Sequence, residues 1–254
     1  MIKPPHRPLR LGVNIDHIAT LRNARQRAAL AHPDLLRGAQ AAVEGGADSL
    51  TFHLREDRRH ILDEDVQRLK EQVRLPLNFE MAATAEMTEI ARRIRPYAVC
   101  LVPERRMEVT TEGGLDVAAG GQGLLTDCVR QLSATGIQVA LFIDPVPAQV
   151  AAAAQTGAPA IELHTGCYCT AAGEAQIREL ARLRAAAVQA AGLGLEVHAG
   201  HGLNYGNTGA VAAIPEITEL NIGHYLVGEA IFTGLRAAVA RMRDVMDAAR
   251  HIQS

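Results

Sequence analysis

Short apolar runs alternate along the chain with longer segments that have helical spacing. The runs are rich in Val, Ile and Leu and occupy residues 9–15, 48–54, 76–82, 98–103, 138–144, 160–166, 195–200 and 217–223. The segments between them carry Ala, Arg, Glu or Gln with a helical period, and several end in Gly, which is favoured at helix C-termini. The pattern therefore predicts eight strand–helix units.

An alternating order of strand and helix is typical of parallel strands joined by crossover helices. Eight units in 254 residues predict a sheet that closes into a (β/α)8 TIM barrel, forming a single domain over residues 1–254. A doubly wound open sheet is the alternative fold, although no G-x-G-x-x-G motif follows the first run. The Gly-rich residues 104–123 are expected to form a mobile loop or lid, or else a flexible surface excursion.

The composition is that of a globular protein, with 48% hydrophobic residues, 21% charged residues and a net charge of -2. This near-neutral balance gives no electrostatic footprint for nucleic acid or an anionic membrane, so neither is expected as a partner. No apolar run approaches the roughly 18 residues of a membrane span, and the N-terminus lacks the apolar core of a signal peptide. The few cysteines suit a reducing compartment, and we expect a cytoplasmic protein.

Polar side chains follow every predicted strand. In (β/α)8 barrels the catalytic groups come from the C-terminal ends of several strands, so these side chains predict an active site at one mouth of the barrel. The set comprises Asn14, Asp16, His17, His53, Arg55, His60, Glu80, Glu104, Arg105, Asp144, Glu162, His164, His198, His201, Asn221 and His224.

The stretch HLREDRRH, residues 53–60, predicts an anion site. We expect His53 inside the mouth and Arg55 and His60 approaching a phosphate from the rim, because guanidinium and imidazolium groups both bind phosphate oxygens. Asp57 and Arg59 are expected to form a solvent-facing pair. The Gly-containing stretches 198–204 and 221–224 predict a second anion site, since backbone N–H groups can approach phosphate there.

Lysine usage restricts the chemistry, because the chain contains only Lys3 and Lys70 and neither follows a predicted strand. A Schiff-base aldolase or a pyridoxal phosphate enzyme would therefore lack its amine nucleophile. Metal-dependent hydrolysis is an alternative, but the histidines fall singly on different strands and no metal is predicted. Cys167 and Cys169 permit a metal site near His164, yet no second ligand pair is present and free thiols in a loop are favoured.

The stretch GVNIDHIATLRNAR, residues 12–25, resembles the pyridoxine 5′-phosphate synthase (PdxJ) family. The resemblance continues through HLREDRRH, NFEMA, LVPERRMEVTTEGGLDV, GIQVALFID, IELHTGCY, AGHGLNY and ELNIGH, and so spans nearly the whole chain. It implies a (β/α)8 barrel with additional helices that acts in vitamin B6 biosynthesis.

The reaction implied by the resemblance condenses 1-deoxy-D-xylulose 5-phosphate with 3-amino-2-oxopropyl phosphate. The products are pyridoxine 5′-phosphate, inorganic phosphate and water, and no metal or cofactor takes part. A Schiff base forms between the two substrates, which fits the missing lysine and the two predicted anion sites. Because members of this family form octamers, the resemblance also implies that the chain forms a homo-oligomer, specifically an octamer.

The resemblance also implies residue roles. The acid–base groups fall on His53, Glu80 and His201, and Glu162 supports a transition state. The pentulose phosphate contacts fall on Asp16, His17, Arg55, His60 and Thr110, and the amino-ketone phosphate contacts fall on Asn14, Arg25, Gly202, Gly223 and His224.

Three expectations accompany these roles. Glu80 follows an apolar run, so desolvation is expected to favour its protonated form. Repeated proton transfers suit His and Glu groups with pKa values near neutrality. At His198 the family pattern has Asn, and a histidine at the mouth could share the proton-carrying role of His201.

Two rival functions stay open from the residues alone. One is a different phospho-sugar isomerase or lyase on the same barrel, and the other is a non-catalytic sensor of a phosphorylated ligand. Both would use the same anion sites, and only the chemistry between those sites distinguishes them.

Overall fold

The computed structural model describes residues 9–24, 32–104 and 113–251. Arg25, Thr110, Arg105 and Lys3 lie outside these ranges. The binding roles predicted for Arg25 and Thr110 are therefore left as predictions.

Eight parallel strands close into a barrel in the order in which they occur along the chain. They are β1 (Arg10–Asn14), β2 (Ser49–His53), β3 (Leu77–Met81), β4 (Ala98–Leu101), β5 (Gln138–Ile143), β6 (Ala160–His164), β7 (Glu196–Gly200) and β8 (Ile217–Ile222). Strand β8 pairs with β1 and completes the ring. The (β/α)8 barrel is confirmed, and the open-sheet alternative is wrong.

Eleven α-helices occur within the described residues. They are α1 (Asp16–Asn23), α2 (Leu35–Glu44), α3 (Asp63–Gln72), α4 (Ala85–Ile94), α5 (Gln122–Ser133), α6 (Pro147–Gln155), α7 (Gly166–Thr170), α8 (Gly173–Gly192), α9 (Thr208–Ala212), α10 (His224–Thr233) and α11 (Leu235–His251). Strands β1, β6 and β8 are each followed by two helices, which accounts for the additional helices. In the described part of the chain, no helix has the length and apolarity that crossing a membrane requires.

Alternation along the strands separates two environments. Leu11, Val13, Phe52 and Phe79 are fully buried and belong to the large apolar core that the barrel shares with its helices. The alternate positions face the barrel interior, where polar residues predominate beside a small apolar cluster. That cluster consists of Cys100, Val102, Ala140, Phe142 and Ala160. The barrel interior is thus largely hydrophilic, whereas the surrounding layer is apolar.

Charged side chains fill the end of the barrel interior opposite the mouth. Arg10, the first residue of β1, donates to Glu219 at 2.8 Å and to Glu196, the first residue of β7. His198 lies beside this group, with its Nε2 atom 3.1 Å from Glu196 Oε1 and 3.4 Å from Arg10 Nη2. This group of four, Arg10, Glu196, His198 and Glu219, is called the floor cluster below.

The sequence-based expectation of a loop over residues 104–123 is wrong for its last part. A turn at Val117–Gly121, with a kink at Ala119 and Gly120, leads directly into α5, which begins at Gln122. Its first N–H groups are satisfied by side chains: Gln149 Oε1 accepts from Val117 N at 2.8 Å, and Asp116 Oδ1 accepts from Ala119 N at 3.2 Å. Capping of this kind stabilises a helical start that Gly content alone would argue against.

A buried ion pair attaches the C-terminal helix to the barrel. Asp48, directly before β2, is fully buried and accepts the backbone N–H of Leu11 at 2.9 Å. The Nη1 atom of Arg243, on α11, lies 3.2 Å from the same carboxylate. Removing one partner of a buried pair leaves an uncompensated charge in a low-dielectric environment.

We predict that Arg243→Met destabilises the fold by about 3 kcal/mol, because it leaves the Asp48 carboxylate buried without this cation. Urea-induced unfolding followed by circular dichroism measures the effect. The matched control is Arg236→Met on the same helix, where the side chain is exposed and the change should stay within about 0.5 kcal/mol. Equal unfolding midpoints for the two variants would contradict the prediction.

Candidate active site

A cavity of about 670 Å³ opens at the C-terminal ends of the strands. It is lined by Asn14, Asp16, His17, Thr20, His53, Arg55, Arg59, His60, Glu80, Val102, Phe142, Glu162, His201, Gly202, Asn221, Gly223 and His224. Every residue to which the family resemblance assigns a role, within the described ranges, is in this set, whereas Glu104, Asp144, His164 and His198 of the strand-end set are not. The structure thus brings the predicted residues together, and their chemical roles stay predictions.

The cavity wall at β1 is held by a compact hydrogen-bond arrangement. The Asn14 side chain donates to Asp16 Oδ2 at 2.9 Å and accepts from the backbone N–H of Asp16 at 2.9 Å. The other oxygen of Asp16 accepts from the backbone N–H of His53 at 2.8 Å. Asp16 is therefore fixed between β1 and β2, with both carboxylate oxygens engaged.

Glu80, on β3, is the most perturbed carboxyl group of the cavity. Its side chain is only 17% exposed. Burial, followed by repulsion from Asp16 and Glu162, raises the pKa of Glu80 well above its usual range, although a hydrogen bond from Asn14 acts in the opposite direction. The expectation that desolvation favours protonated Glu80 is confirmed.

Glu162 lies in the middle of β6, deeper than a strand end. Burial raises its pKa to about 7, while the charge of His198 and a hydrogen bond from Asn221 oppose that rise. Asn221 Nδ2 donates to Glu162 Oε2 at 2.7 Å. Gly200 makes room for this carboxylate, because a Cβ atom at that position would overlap Glu162 Oε1.

His201 follows β7 in a backbone conformation that few side chains adopt. Its φ is +83° and that of Gly202 is +84°, and a non-Gly residue with positive φ is uncommon. Thr165 stabilises the turn by donating its hydroxyl to the carbonyls of Gly200 and His201. Such a conformation persists where the surroundings determine it, often at functional sites.

Burial, followed by the charges of His164, His17 and His224, lowers the pKa of His201 to about 4. The expectation of a pKa near neutrality is wrong for this residue. At pH 7 the imidazole of His201 is neutral, so in the ligand-free cavity it can accept a proton and cannot act as a cationic acid.

Two more histidines at the rim, His17 and His60, are also neutral in the empty cavity. Burial is the largest cause and lowers the pKa of both rings, and Asp16 opposes that effect. The rings of His17 and His224 meet edge-to-face at 4.9 Å. An arriving phosphate would favour the protonated form of these rings, since an opposite charge nearby stabilises it.

Several residues around the cavity stand at predicted strand ends or beside them but receive no role from the family resemblance. His164 Nδ1 lies 3.0 Å from Asp144 Oδ1, and the His164 ring lies 5.0 Å from that of His201. Glu104 contacts His53, and Arg59 lines the cavity while pairing with Asp57 at 2.6 Å, as expected. The sequence shows that these residues stand after predicted strands, but it does not show which side chains they contact.

His198 is not at the mouth. It does not line the cavity and belongs to the floor cluster, where Glu219 and Glu196 raise its pKa against the effect of burial. The idea that His198 shares the proton-carrying role of His201 is therefore not supported by its position. Its charge instead acts on Glu162, its register partner on the adjacent strand.

Three groups in the cavity offer metal-ligating atoms within 4.8 Å of one another, namely Asp16, His53 and Glu80. Both oxygens of Asp16 already accept hydrogen bonds, as described above. Cys167 and Cys169 carry free thiols, as favoured, but both lie in the short helix α7 and not in a loop. The absence of a metal requirement stays a prediction.

Comparisons with known proteins agree on one family. The sequence model of the family described as "Pyridoxal phosphate biosynthesis protein PdxJ" matches residues 11–248. The chain is 58% identical over 248 residues to a pyridoxine 5′-phosphate synthase of Xanthobacter autotrophicus, covering 96% of this chain and 95% of the relative. It is 59% identical over 244 residues to the enzyme of that name from Rhodospirillum rubrum, covering 96% of each.

Solved structures show the same fold at low identity. KGPDC from Streptococcus mutans matches with a TM-score of 0.64 and 13% identity, covering 95% of this chain and 99% of that chain. Phosphoribosyl anthranilate isomerase from Thermotoga maritima matches with a TM-score of 0.58 and 14% identity, covering 94% and 99%. These likenesses establish the barrel and carry no information on the reaction.

We predict that His201 makes the fold less stable in mild acid. Its pKa is about 4 when folded against an ordinary 6.5, so between these values the unfolded chain binds more protons, and stability falls as pH decreases. Replacing His201 by Asn, which tolerates positive φ, should reduce the loss of unfolding free energy between pH 7 and pH 5 by about 1–2 kcal/mol. Urea unfolding at the two pH values measures this.

The control for this measurement is His32→Asn, at an exposed position. That variant should lose as much stability between the two pH values as the wild type. An unchanged pH dependence in the His201 variant would show that the ring is not held neutral by burial.

Proposed function

Because the chain belongs to the PdxJ family of pyridoxal phosphate biosynthesis proteins, we propose that it is a pyridoxine 5′-phosphate synthase. The reaction joins 1-deoxy-D-xylulose 5-phosphate to 3-amino-2-oxopropyl phosphate and releases inorganic phosphate and water. The observation that carries the proposal is one cavity with phosphate-binding groups on two sides and buried carboxyl and imidazole groups between them.

The pentulose phosphate binds on the β2 side. Arg55 is 2% exposed and lines the cavity, so its guanidinium is held in place before a phosphate arrives. His60 and His17 are neutral in the free enzyme and gain affinity for the anion by taking up protons. Thr110, which lies outside the described residues, completes this side as the family resemblance implies.

The amino-ketone phosphate binds on the β8 side. Helix α10 begins at His224 with Gly223 as its N-cap, and both residues line the cavity. The free backbone N–H groups at the start of a helix favour an anion. A Cβ atom on Gly223 would overlap the Asn14 side chain, so glycine allows the close approach of these two strands at the binding site.

The amine of the second substrate attacks the ketone of the first, and the carbinolamine then loses water to give an imine. Neutral His201 accepts the proton that the ammonium group must lose before it attacks. Protonated Glu80 donates to the departing hydroxyl and then, as a carboxylate, serves as a base for enamine formation. His53, whose Nδ1 lies 3.9 Å from Glu80, exchanges protons with it during phosphate loss, ring closure and the final dehydration.

Glu162 acts from below the reacting atoms. With a pKa of about 7 it is divided between its two protonation states at neutral pH, which suits a group that stabilises positive charge at one step and donates a proton at another. Asn221 fixes its orientation. The role follows from the family resemblance, and the burial of the side chain supports it.

The test is incubation of the purified protein with each substrate alone and with both together. Pyridinol absorbance and free phosphate should rise only when both substrates are present. A phospho-sugar isomerase or lyase would consume one substrate alone, and a sensor would bind a substrate and convert neither. The homo-octamer and the cytoplasmic location implied by the family stay predictions.

We predict that Glu80→Gln reduces turnover on the order of 10²-fold or more while KM for both substrates changes by less than about threefold. The amide keeps the shape of the side chain but cannot donate and recover a proton. Steady-state kinetics of pyridinol formation measure both parameters.

The matched control is Glu89→Gln, an exposed position on α4, which should retain full turnover. Near-normal turnover in the Glu80 variant would reassign Glu80 to a structural role.

We also predict that no covalent intermediate forms on the protein. Lys70 Nζ donates to the backbone carbonyl of Arg95 at 2.7 Å, beyond the end of α4, on the side of the barrel opposite the mouth. Borohydride added during turnover should therefore leave the mass of the intact chain unchanged, and the double variant Lys3→Arg, Lys70→Arg should keep most of its activity. A reduced adduct on either lysine would contradict the mechanism.

A further inference from the structure

We propose that Glu104 is a positioning residue that fixes the tautomer and orientation of His53. This inference rests on the proposed acid–base role of His53. Glu104 does not line the cavity, so it acts on the reaction only through the imidazole that it contacts.

Glu104 is tied to two elements at once. Its Oε1 atom lies 2.8 Å from His53 Nε2, and its Oε2 atom accepts the backbone N–H of Glu56 at 3.1 Å. The Glu104 side chain is 7% exposed and that of His53 is 5% exposed. The carboxylate therefore connects the residues after β4 to those after β2, and both of its oxygens have defined partners.

The ionised state of Glu104 follows from these contacts. Burial acts to raise the pKa of Glu104, but the hydrogen bond from His53, together with the N–H of Glu56 and the charge of Arg55, acts in the opposite direction and the pKa lies below its usual value. An ionised carboxylate has no proton to give, so it only accepts hydrogen bonds.

The tautomer of neutral His53 is thereby determined. Nε2 must carry the ring proton, because Glu104 only accepts at that atom, and Nδ1 is left with its lone pair. Nδ1 lies 3.9 Å from Glu80 Oε2. The lone pair is thus on the ring nitrogen near the carboxyl group whose burial favours the protonated form. Proton exchange between Glu80 and His53 then requires the two groups to approach each other by about 1 Å when substrate binds.

The orientation of the ring is fixed from a second direction. The backbone N–H of His53 donates to Asp16 Oδ1 at 2.8 Å, and the ring meets that of His60 edge-to-face at 6.0 Å. The main chain and one ring face are therefore set by other groups, and Glu104 supplies the contact that selects the proton-bearing nitrogen. A carboxylate that holds a catalytic imidazole in one tautomer has this effect in other enzymes.

Glu104→Gln is a sharp test, because the amide has only one acceptor atom. The N–H of Glu56 requires an acceptor, so the amide oxygen takes the place of Oε2 and the NH2 group faces His53 Nε2. Nε2 must then accept, and the ring proton moves to Nδ1. The variant should therefore carry the opposite tautomer of His53 with little change in shape.

We expect Glu104→Gln to lower kcat on the order of 10²-fold, with KM changed by less than about threefold. Glu104→Ala imposes neither tautomer, so its loss of kcat should be no greater than that of Glu104→Gln. Glu104→Asp should retain a carboxylate and recover part of the activity. Glu56→Gln, the same chemical change at an exposed neighbouring position, should leave kcat unchanged.

The tautomer itself is read from long-range ¹H–¹⁵N correlation spectra of ¹⁵N-histidine-labelled protein, with His53 assigned by its loss in His53→Gln. The wild type should show the Nε2–H form and Glu104→Gln the Nδ1–H form. A greater loss of activity in the Ala variant than in the Gln variant, or an unchanged tautomer, would overturn the proposal. The spectra need no substrate. The tautomer result is therefore independent of the test of whether the wild type makes pyridoxine 5′-phosphate.

Discussion

Burial of three carboxyl groups within one small cavity is the constraint on which the site depends. Asp16, Glu80 and Glu162 are removed from water, and their mutual repulsion adds to the desolvation of Glu80. They cannot all hold a negative charge in that environment without strong compensation. The Asp16 carboxylate accepts two hydrogen bonds, and Glu162 has Asn221 and the nearby charge of His198. Among the described residues, the hydrogen bond that Glu80 receives is a long contact of 3.5 Å from Asn14, and His53 Nδ1 lies 3.9 Å away. The unequal compensation selects Glu80 as the carboxyl group that holds a proton.

Glycine at three positions makes this arrangement of side chains possible. A Cβ atom on Gly12 would overlap Asn221, one on Gly200 would overlap Glu162, and one on Gly223 would overlap Asn14. These glycines lie on or just after β1, β7 and β8, which adjoin one another in the closed barrel. Their missing side chains leave one side of the interior open, and the polar side chains of neighbouring strands occupy that space.

The sequence was sufficient for the barrel, which follows from the strand–helix period. Strand-end positions alone also selected residues that do not line the cavity, and the family resemblance selected residues that do. The sequence was not sufficient to predict how deep each polar side chain lies in the barrel. His198 and Glu162 are register partners, yet Glu162 reaches up into the space beside Gly200 and lines the cavity, whereas His198 turns down to Glu196 and Arg10. That difference depends on neighbours contributed by other strands. The low pKa of His201, the contact of Glu104 with His53 and the helical start at Val117 depend in the same way on partners distant in sequence.

Burial favours the neutral form of several histidines in the cavity, and this links the binding of anionic substrates to proton uptake. Burial lowers the pKa of His17, His60 and His201, so the free cavity holds fewer positive charges than its histidine content suggests. Two phosphorylated substrates bring negative charge to the same cavity and favour protonation of nearby imidazoles. In the proposed reaction, substrate binding is therefore coupled to proton uptake, and the protons arrive where imine formation, phosphate loss and dehydration would consume them. No lysine is among the described residues that line the cavity. In the proposed reaction the substrates therefore supply the amine and, through their charge, also favour the protonated state in which the surrounding groups act as acids.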